Sequence, residues 1–157
     1  MKIHLATLIL LLAFCALPAL ADSPELSVTG IPAFGTYVFD GTDPTPVTLQ
    51  IQVADPFGIG FIWSGDTSAY GGTLVGYRMG WDITDPDDPM DPGWLVSDYV
   101  LTNFTEPKIF STVSLHTFIV EAKDDQGNIT RATFWIQVVD EVPVESVPFS
   151  GLKALYR

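Results

Sequence analysis

The feature that most constrains this chain is a pair of strictly alternating runs, separated by a short polar turn, near its C-terminal end. His116, Phe118, Val120 and Ala122 share one parity. Asp124-Asp125-Gln126-Gly127-Asn128 interrupts them, and Ala132, Phe134, Ile136 and Val138 resume the alternation. A period of two places successive side chains on opposite faces of a strand. The pattern therefore predicts a β-hairpin with a five-residue loop, one face dry and one wet. The same period recurs upstream. Val47, Leu49, Ile51 and Val53 alternate with Thr48, Gln50 and Gln52, while Val75, Tyr77, Met79, Trp81 and Ile83 alternate with Gly76, Arg78, Gly80 and Asp82.

Shorter β-rich stretches at 26–28 and 36–39 predict a first, split strand, and 95–101 and 108–112 predict two more. The stretch 56–73, rich in glycine and carrying Trp63 and Tyr70, predicts a long connection. The run Asp85-Pro86-Asp87-Asp88-Pro89-Met90-Asp91-Pro92-Gly93 predicts a loop, because proline removes donors and biases the residue before it away from helix. No stretch after the leader sustains a 3.6-residue period. The expected fold is all-β, a Greek-key sandwich of about seven strands, to which the resemblance given below adds an Ig-like topology. Its expected core holds Phe118, Val120, Phe134, Ile136, Tyr77, Trp81 and Ile51.

At the N-terminus, Lys2, the unbroken apolar run 8–17 and Ala19-Leu20-Ala21 before Asp22 predict a secretory signal peptide over 1–21. That run is too short to cross a bilayer, which needs about 20 apolar residues. The expected compartment is extracellular or periplasmic, with no transmembrane segment. Cys15, the only cysteine, falls in the leader, in a context resembling a lipobox but with Phe14 where a small residue is wanted. The mature chain then has no disulfide, no thiolate ligand and no thiol nucleophile. A net charge of −12, from 19 acidic against 7 basic side chains, argues against nucleic acid or an anionic bilayer as partner. The sandwich is expected to span 22–140. A linker and short tail follow over 141–157, where Ser150 could cap a helical turn carrying Phe149, Leu152, Leu155 and Tyr156 on one side.

The segment His116-Thr117-Phe118-Ile119-Val120-Glu121-Ala122-Lys123-Asp124-Asp125-Gln126-Gly127-Asn128 resembles the F strand and F–G turn of immunoglobulin-like and fibronectin type III-like domains in bacterial secreted proteins. Tyr77-Arg78-Met79 followed by Trp94 is similar to the C-strand half of triple-tyrosine domains. The resemblance covers roughly 74–140. It implies a non-enzymatic module for adhesion, protein–protein interaction or cell-envelope assembly, whose partner is a protein or polysaccharide of the cell surface. It also implies a structural role for His116. This residue stands where a tyrosine of the family often bonds back to the loop before strand F.

On the predicted outer face, Trp135, Ile119 and Arg78 share one parity and form the candidate partner surface. Trp135 is expected to cover Gly76 and Gly80 and to stack with Arg78. The alternative is a carbohydrate-binding module, which needs Trp63, Tyr70, Trp94 and Trp135 to line one surface. Asp85, Asp87, Asp88 and Asp91 are the candidate metal ligands. Ca²⁺ is possible but not favoured, because their spacing is not that of an EF-hand and the prolines are expected to hold the loop extended. No other cofactor is expected. Asp55, Asp66, Asp124 and Asp125 form a second acidic group that loop topology could gather at one end. No catalytic residue is assigned, since Ser111 or Ser114 near His116 does not by itself make a triad. Asn103-Phe104-Thr105 and Asn128-Ile129-Thr130 match the glycosylation pattern and are expected to be chance in a bacterial chain.

Overall fold

The computed structural model describes residues 23–31, 34–96 and 98–140. The expected leader and tail lie outside these residues. Eight strands follow in chain order: β1 Glu25–Ile31, β2 Gly35–Phe39, β3 Val47–Gln52, β4 Ile59–Asp66, β5 Leu74–Trp81, β6 Phe104–Lys108, β7 Ser114–Asp124 and β8 Ile129–Val139. They form two four-stranded sheets in the orders β2-β1-β4-β6 and β3-β8-β7-β5. The chain crosses between sheets from β4 to β5, back to β6 and over again to β7, the Greek-key route of an Ig-like sandwich. The β3–β8 pair is parallel and every other pair is antiparallel.

The hairpin falls where alternation predicts it. Phe118 lies opposite Phe134, Val120 opposite Ala132 and His116 opposite Ile136. Three upstream expectations need correction. The presumed connection 56–73 contains β4, whose burial alternates over Phe61, Ile62, Trp63 and Ser64. The two glycines inside β4, Gly60 and Gly65, serve close approach instead of turning: a Cβ on Gly65 would stand 2.9 Å from Leu74 Cδ1 and 3.3 Å from the Tyr77 hydroxyl. The expected strand 95–101 is not a regular strand, and that over 108–112 gives way to β6 at Phe104–Lys108. The expected split first strand is two antiparallel strands, β1 and β2, which makes eight strands among the described residues instead of seven.

All seven expected core residues are buried. Phe61 from one sheet stacks on Phe118 of the other, with centroids 4.3 Å apart and planes 5° from parallel. Phe134 lies 5.0 Å from Phe61 and meets Tyr37 and Phe39 edge-on at 5.7 Å each. Trp81 flanks Phe118 at 4.9 Å. Aromatic side chains bury the most area per residue, so this cluster is the largest hydrophobic contribution to the sandwich.

The segment 85–93 is not extended. It is three consecutive Asp-Pro-x turns: the carbonyls of Asp85, Asp88 and Asp91 accept from the N–H groups of Asp88, Asp91 and Trp94. The carboxylates of the same three aspartates accept from Asp87, Met90 and Gly93 two residues on. Proline presets φ at the second turn position, and aspartate caps the first. The missing N–H of each proline costs nothing here, because the turn bonds use the N–H groups of the third and fourth residues and not that of the second. Asp43-Pro44 and Asp55-Pro56 are bonded in the same way to Thr45 and Phe57. Much of the acidity of this chain is thus turn chemistry.

Candidate functional site

The outer face of the β3–β8–β7–β5 sheet is divided by what covers it. Register sets one cross-strand row of Arg78, Glu121 and Arg131, and a second of Gly80, Ile119 and Thr133. The described residues of the segment 82–100 fold back over the β5 and β7 members of these two rows, leaving Arg131 and Thr133 of β8 partly open. Its backbone also closes the outer edge of β5: Tyr77 and Val100 exchange both bonds, at 2.7 and 2.8 Å, and Trp81 N–H and Leu95 N–H reach Gly93 and Met79 carbonyls at 3.0 Å. An open edge would otherwise template unwanted pairing. The approach depends on the absent side chains of β5, since a Cβ on Gly76 would stand 2.8 Å from the Val100 oxygen.

Beneath the segment lies a buried ionic cluster. Arg78 Nε and Nη2 donate to Glu121 Oε2 at 3.1 and 2.8 Å, and Tyr99 Oη donates to the same oxygen at 2.7 Å. Arg131 Nε donates to Glu121 Oε1 at 2.7 Å, and its Nη2 reaches Asp87 at 2.7 Å. Arg78 also donates to the Pro86 carbonyl and lies 3.9 Å over the Trp94 ring. Glu121 has no solvent exposure, yet every formal charge here has an opposite neighbour and hydrogen bonds. Burial and the neighbouring Glu121 carboxylate push the Tyr99 phenol well above its ordinary range, so it stays a donor. Ile119 packs with Ile83 and Trp94 in a small apolar cluster beside it.

The three residues of the expected partner surface therefore part company. Arg78 and Ile119 are 6% and 5% exposed, under the segment, while Trp135 is 44% exposed beyond its margin. Arg78 stacks with Trp94, not Trp135, and the room above Gly76 and Gly80 is taken by backbone, not by the indole. The four aromatics of the carbohydrate alternative do not share a surface either. Trp63 is buried with its indole N–H on the Thr102 carbonyl, Trp94 is buried with its own on Asp88, and the Tyr70 hydroxyl donates to Asp124.

What remains uncovered is a neutral field around Trp135. Register places Thr48, Trp135 and Thr117 in one row and Gln50, Gln137 and Leu115 in the next. The Gln50 amide donates to that of Gln137 at 2.9 Å, leaving Gln50 Oε1 and the Gln137 amide NH₂ available to a ligand.

The acidic candidates are committed elsewhere. Asp85, Asp88 and Asp91 hold their own turns, Asp91 additionally takes Thr84 and Asp85 N–H, and Asp87 pairs with Arg131. Among the described residues no group of three or more metal-ligating side chains converges. In the second acidic group, Asp124 and Asp125 bind the 70–73 loop through the Tyr70 hydroxyl and Thr73 N–H, so those loops do share an end. Asp55 lies before β4 and Asp66 at its end, so the strand separates them.

His116 stacks on Phe110 at 4.4 Å between Asp82 and Ser114, with Nδ1 2.8 Å from Asp82 Oδ2 and Nε2 3.0 Å from Ser114 Oγ. The order resembles a Ser-His-Asp line. However, the Ser114 hydroxyl donates to the Thr112 carbonyl at 2.9 Å, so the proton a base would take is directed away from the ring. Asp82 holds β7 as well, accepting from Thr117 N–H at 2.9 Å, and it does so from a left-handed backbone, φ +54°. The imidazole ties the turn after β5 to β7; its polar partners are these two side chains, not the loop before strand F. Of the two glycosylation matches, Asn103 is exposed, whereas the Asn128 amide is bonded to Asp124.

Three aspartates anchor these arrangements with acid-sensitive bonds. Burial pushes Asp124 up, but donors from Asn128, Tyr70 and Gln126 outweigh it and leave the carboxyl below its ordinary value of 3.8. Burial likewise raises Asp82, while Thr117 N–H, His116 and Lys108 bring it down on balance. Asp91 is lowered by Asp85 and Gly93 N–H. A carboxyl depressed in the folded state stabilises the fold above its unfolded pKa, and that stability is lost as pH falls through the folded value. Urea midpoints are expected to be flat from pH 8 to about 5 and to fall below about 4. A midpoint unchanged at pH 3 would contradict this.

The chain matches no known family model and no curated protein.

Proposed function

We propose that this protein is a secreted, non-enzymatic Ig-like module acting in adhesion or cell-envelope assembly, and that it engages its partner through the uncovered half of the β3–β8–β7 face. The observation that carries this reading is Trp135: a large aromatic left half exposed amid neutral side chains, on a sheet whose other half is sealed by a dedicated segment. Aromatic residues in such settings are the commonest energetic centres of binding surfaces. The diversion of the Ser114 hydroxyl from His116 supports a role without covalent chemistry.

Trp135→Ala is expected to weaken capture of the protein by native envelope material about tenfold or more, consistent with a hot-spot loss of about 2 kcal/mol. Folding should suffer less than with Phe134→Ala, since a half-exposed ring loses less burial. Capture unchanged, together with a badly destabilised fold, would make Trp135 a structural cover and refute the reading.

A further inference from the structure

The geometry points to a neutral polysaccharide as the ligand of this face, with one sugar ring seated on Trp135 and the chain running along β8; the inference rests on the reading above. Four observations carry it. The first is size. The uncovered field spans three strands about 4.8 Å apart and two outward rows about 6.7 Å apart, a footprint of roughly 14 by 13 Å. That is about 190 Å², against about 800 Å² per partner for a standard protein interface. The field is too small for a folded partner to cover alone, and it suits two or three sugar rings.

The second is chemistry. A sugar ring offers an apolar C–H face and an equatorial girdle of hydroxyls that both donate and accept. The exposed indole matches the first, and the Gln50–Gln137 amide pair with Thr48 and Thr117 matches the second, with one free acceptor and one free donor group on the amides. The third is continuity. Arg131, Thr133, Trp135 and Gln137 follow one another on the outward side of β8, and Thr133 leads into a groove of about 360 Å³ also lined by Asp43, Asp87, Ile129 and Arg131. Stacking platform and groove thus lie on one line.

The fourth is charge, which selects among glycans. The side chains in the two rows around Trp135 are uncharged up to Asp82, half exposed beside Thr117 at the margin, while the groove presents two carboxylates, Asp43 and Asp87, beside one guanidinium already committed to Glu121 and Asp87. A uronic acid or sulfated sugar would meet like charge there, on a chain of net −12. An uncharged sugar would find side-chain hydrogen-bonding groups.

The test uses the full chain in native gels containing cellulose derivative, mannan, galactan or soluble chitin, with polygalacturonate as the anionic comparison. At least one neutral polymer should retard the protein and polygalacturonate should not. Trp135→Ala should lower the affinity at least tenfold, Gln137→Ala about threefold, and Trp135→Phe should restore most of the retardation. Retardation by none of the neutral polymers, or equal retardation of Trp135→Ala with a wild-type melting curve, overturns the inference. A second arm separates it from the reading on which it rests, using envelope material treated with periodate, which destroys sugar diols, or with protease. Capture that needs Trp135 and is lost to periodate but not protease supports a glycan. Capture that needs Trp135 and is lost only to protease overturns the glycan and leaves the binding face standing. Capture indifferent to Trp135→Ala overturns both.

Discussion

Glu121→Ala is expected to destabilise the fold by about 3–5 kcal/mol, the range for removing one partner of a buried ion pair. Glu121 is wholly buried and accepts from Arg78, Arg131 and Tyr99 at once. Its loss leaves the Arg78 guanidinium buried with the Pro86 carbonyl and the faces of Trp94 and Tyr99, and no anion against it. The reverse calculation differs: replacing buried charged groups together by apolar ones of similar volume is often neutral or better, because desolvation is removed along with attraction. Arg78→Met combined with Glu121→Leu should therefore recover much of the loss. The site of damage is also specific. Amide exchange at Leu95 and Val100, whose N–H groups bond to β5, should accelerate before that at the β7–β8 pairs. Equal stability of Glu121→Ala and the parent protein would mean that the segment is held by its backbone and by Trp94 alone.

The cluster shows where sequence reading stops. The hairpin was legible because the inward parity is apolar and buried on both strands, over Phe118, Val120, Phe134 and Ile136, although on β7 the outward residues Ile119 and Glu121 are buried as well. The same rule placed Arg78, Ile119 and Glu121 on a wet face. Parity reports which side of a sheet a residue occupies, not whether another part of the chain covers that side. A signal for the cover was nonetheless present. Once the hairpin register is set, Glu121 stands opposite Arg131, and a strand aligned beside it brings Arg78 into the same row, giving two arginines about one glutamate that Asp87 of the Asp-Pro run brings to neutrality. Two glycines in β5 and a threefold Asp-Pro-x repeat directly after it complete the pattern of a close-packed, self-folding strap. β4 was hidden for the opposite reason: glycines that admit neighbouring side chains look, in sequence, like glycines that turn the chain. Trp135, Arg78 and Ile119 all lie on the outer face that parity assigns them, but of the three only Trp135 is left uncovered there.

Phe134→Ala, one residue before Trp135, should cost about 3–5 kcal/mol, the range for deleting a buried phenylalanine. Phe134 has no exposure and is held from several directions, by Phe118 within its own sheet and by Phe61, Tyr37 and Phe39 from the facing one. Cavity cost depends on how far neighbours can collapse into the space left. Here those neighbours are four rings on three different strands, each fixed by its own ladder, so collapse is limited. The loss is a large fraction of the roughly 5–15 kcal/mol that stabilises a domain. With a urea m-value of about 1–3 kcal/mol/M, the midpoint should fall by about 1 M or more. Trp135→Ala, on the outer face of the same strand, removes a ring that water already reaches and should move the midpoint by less. A Phe134→Ala midpoint within about 0.3 M of the parent would show that the two sheets do not meet at this ring, and the inward register of β8 would have to be abandoned.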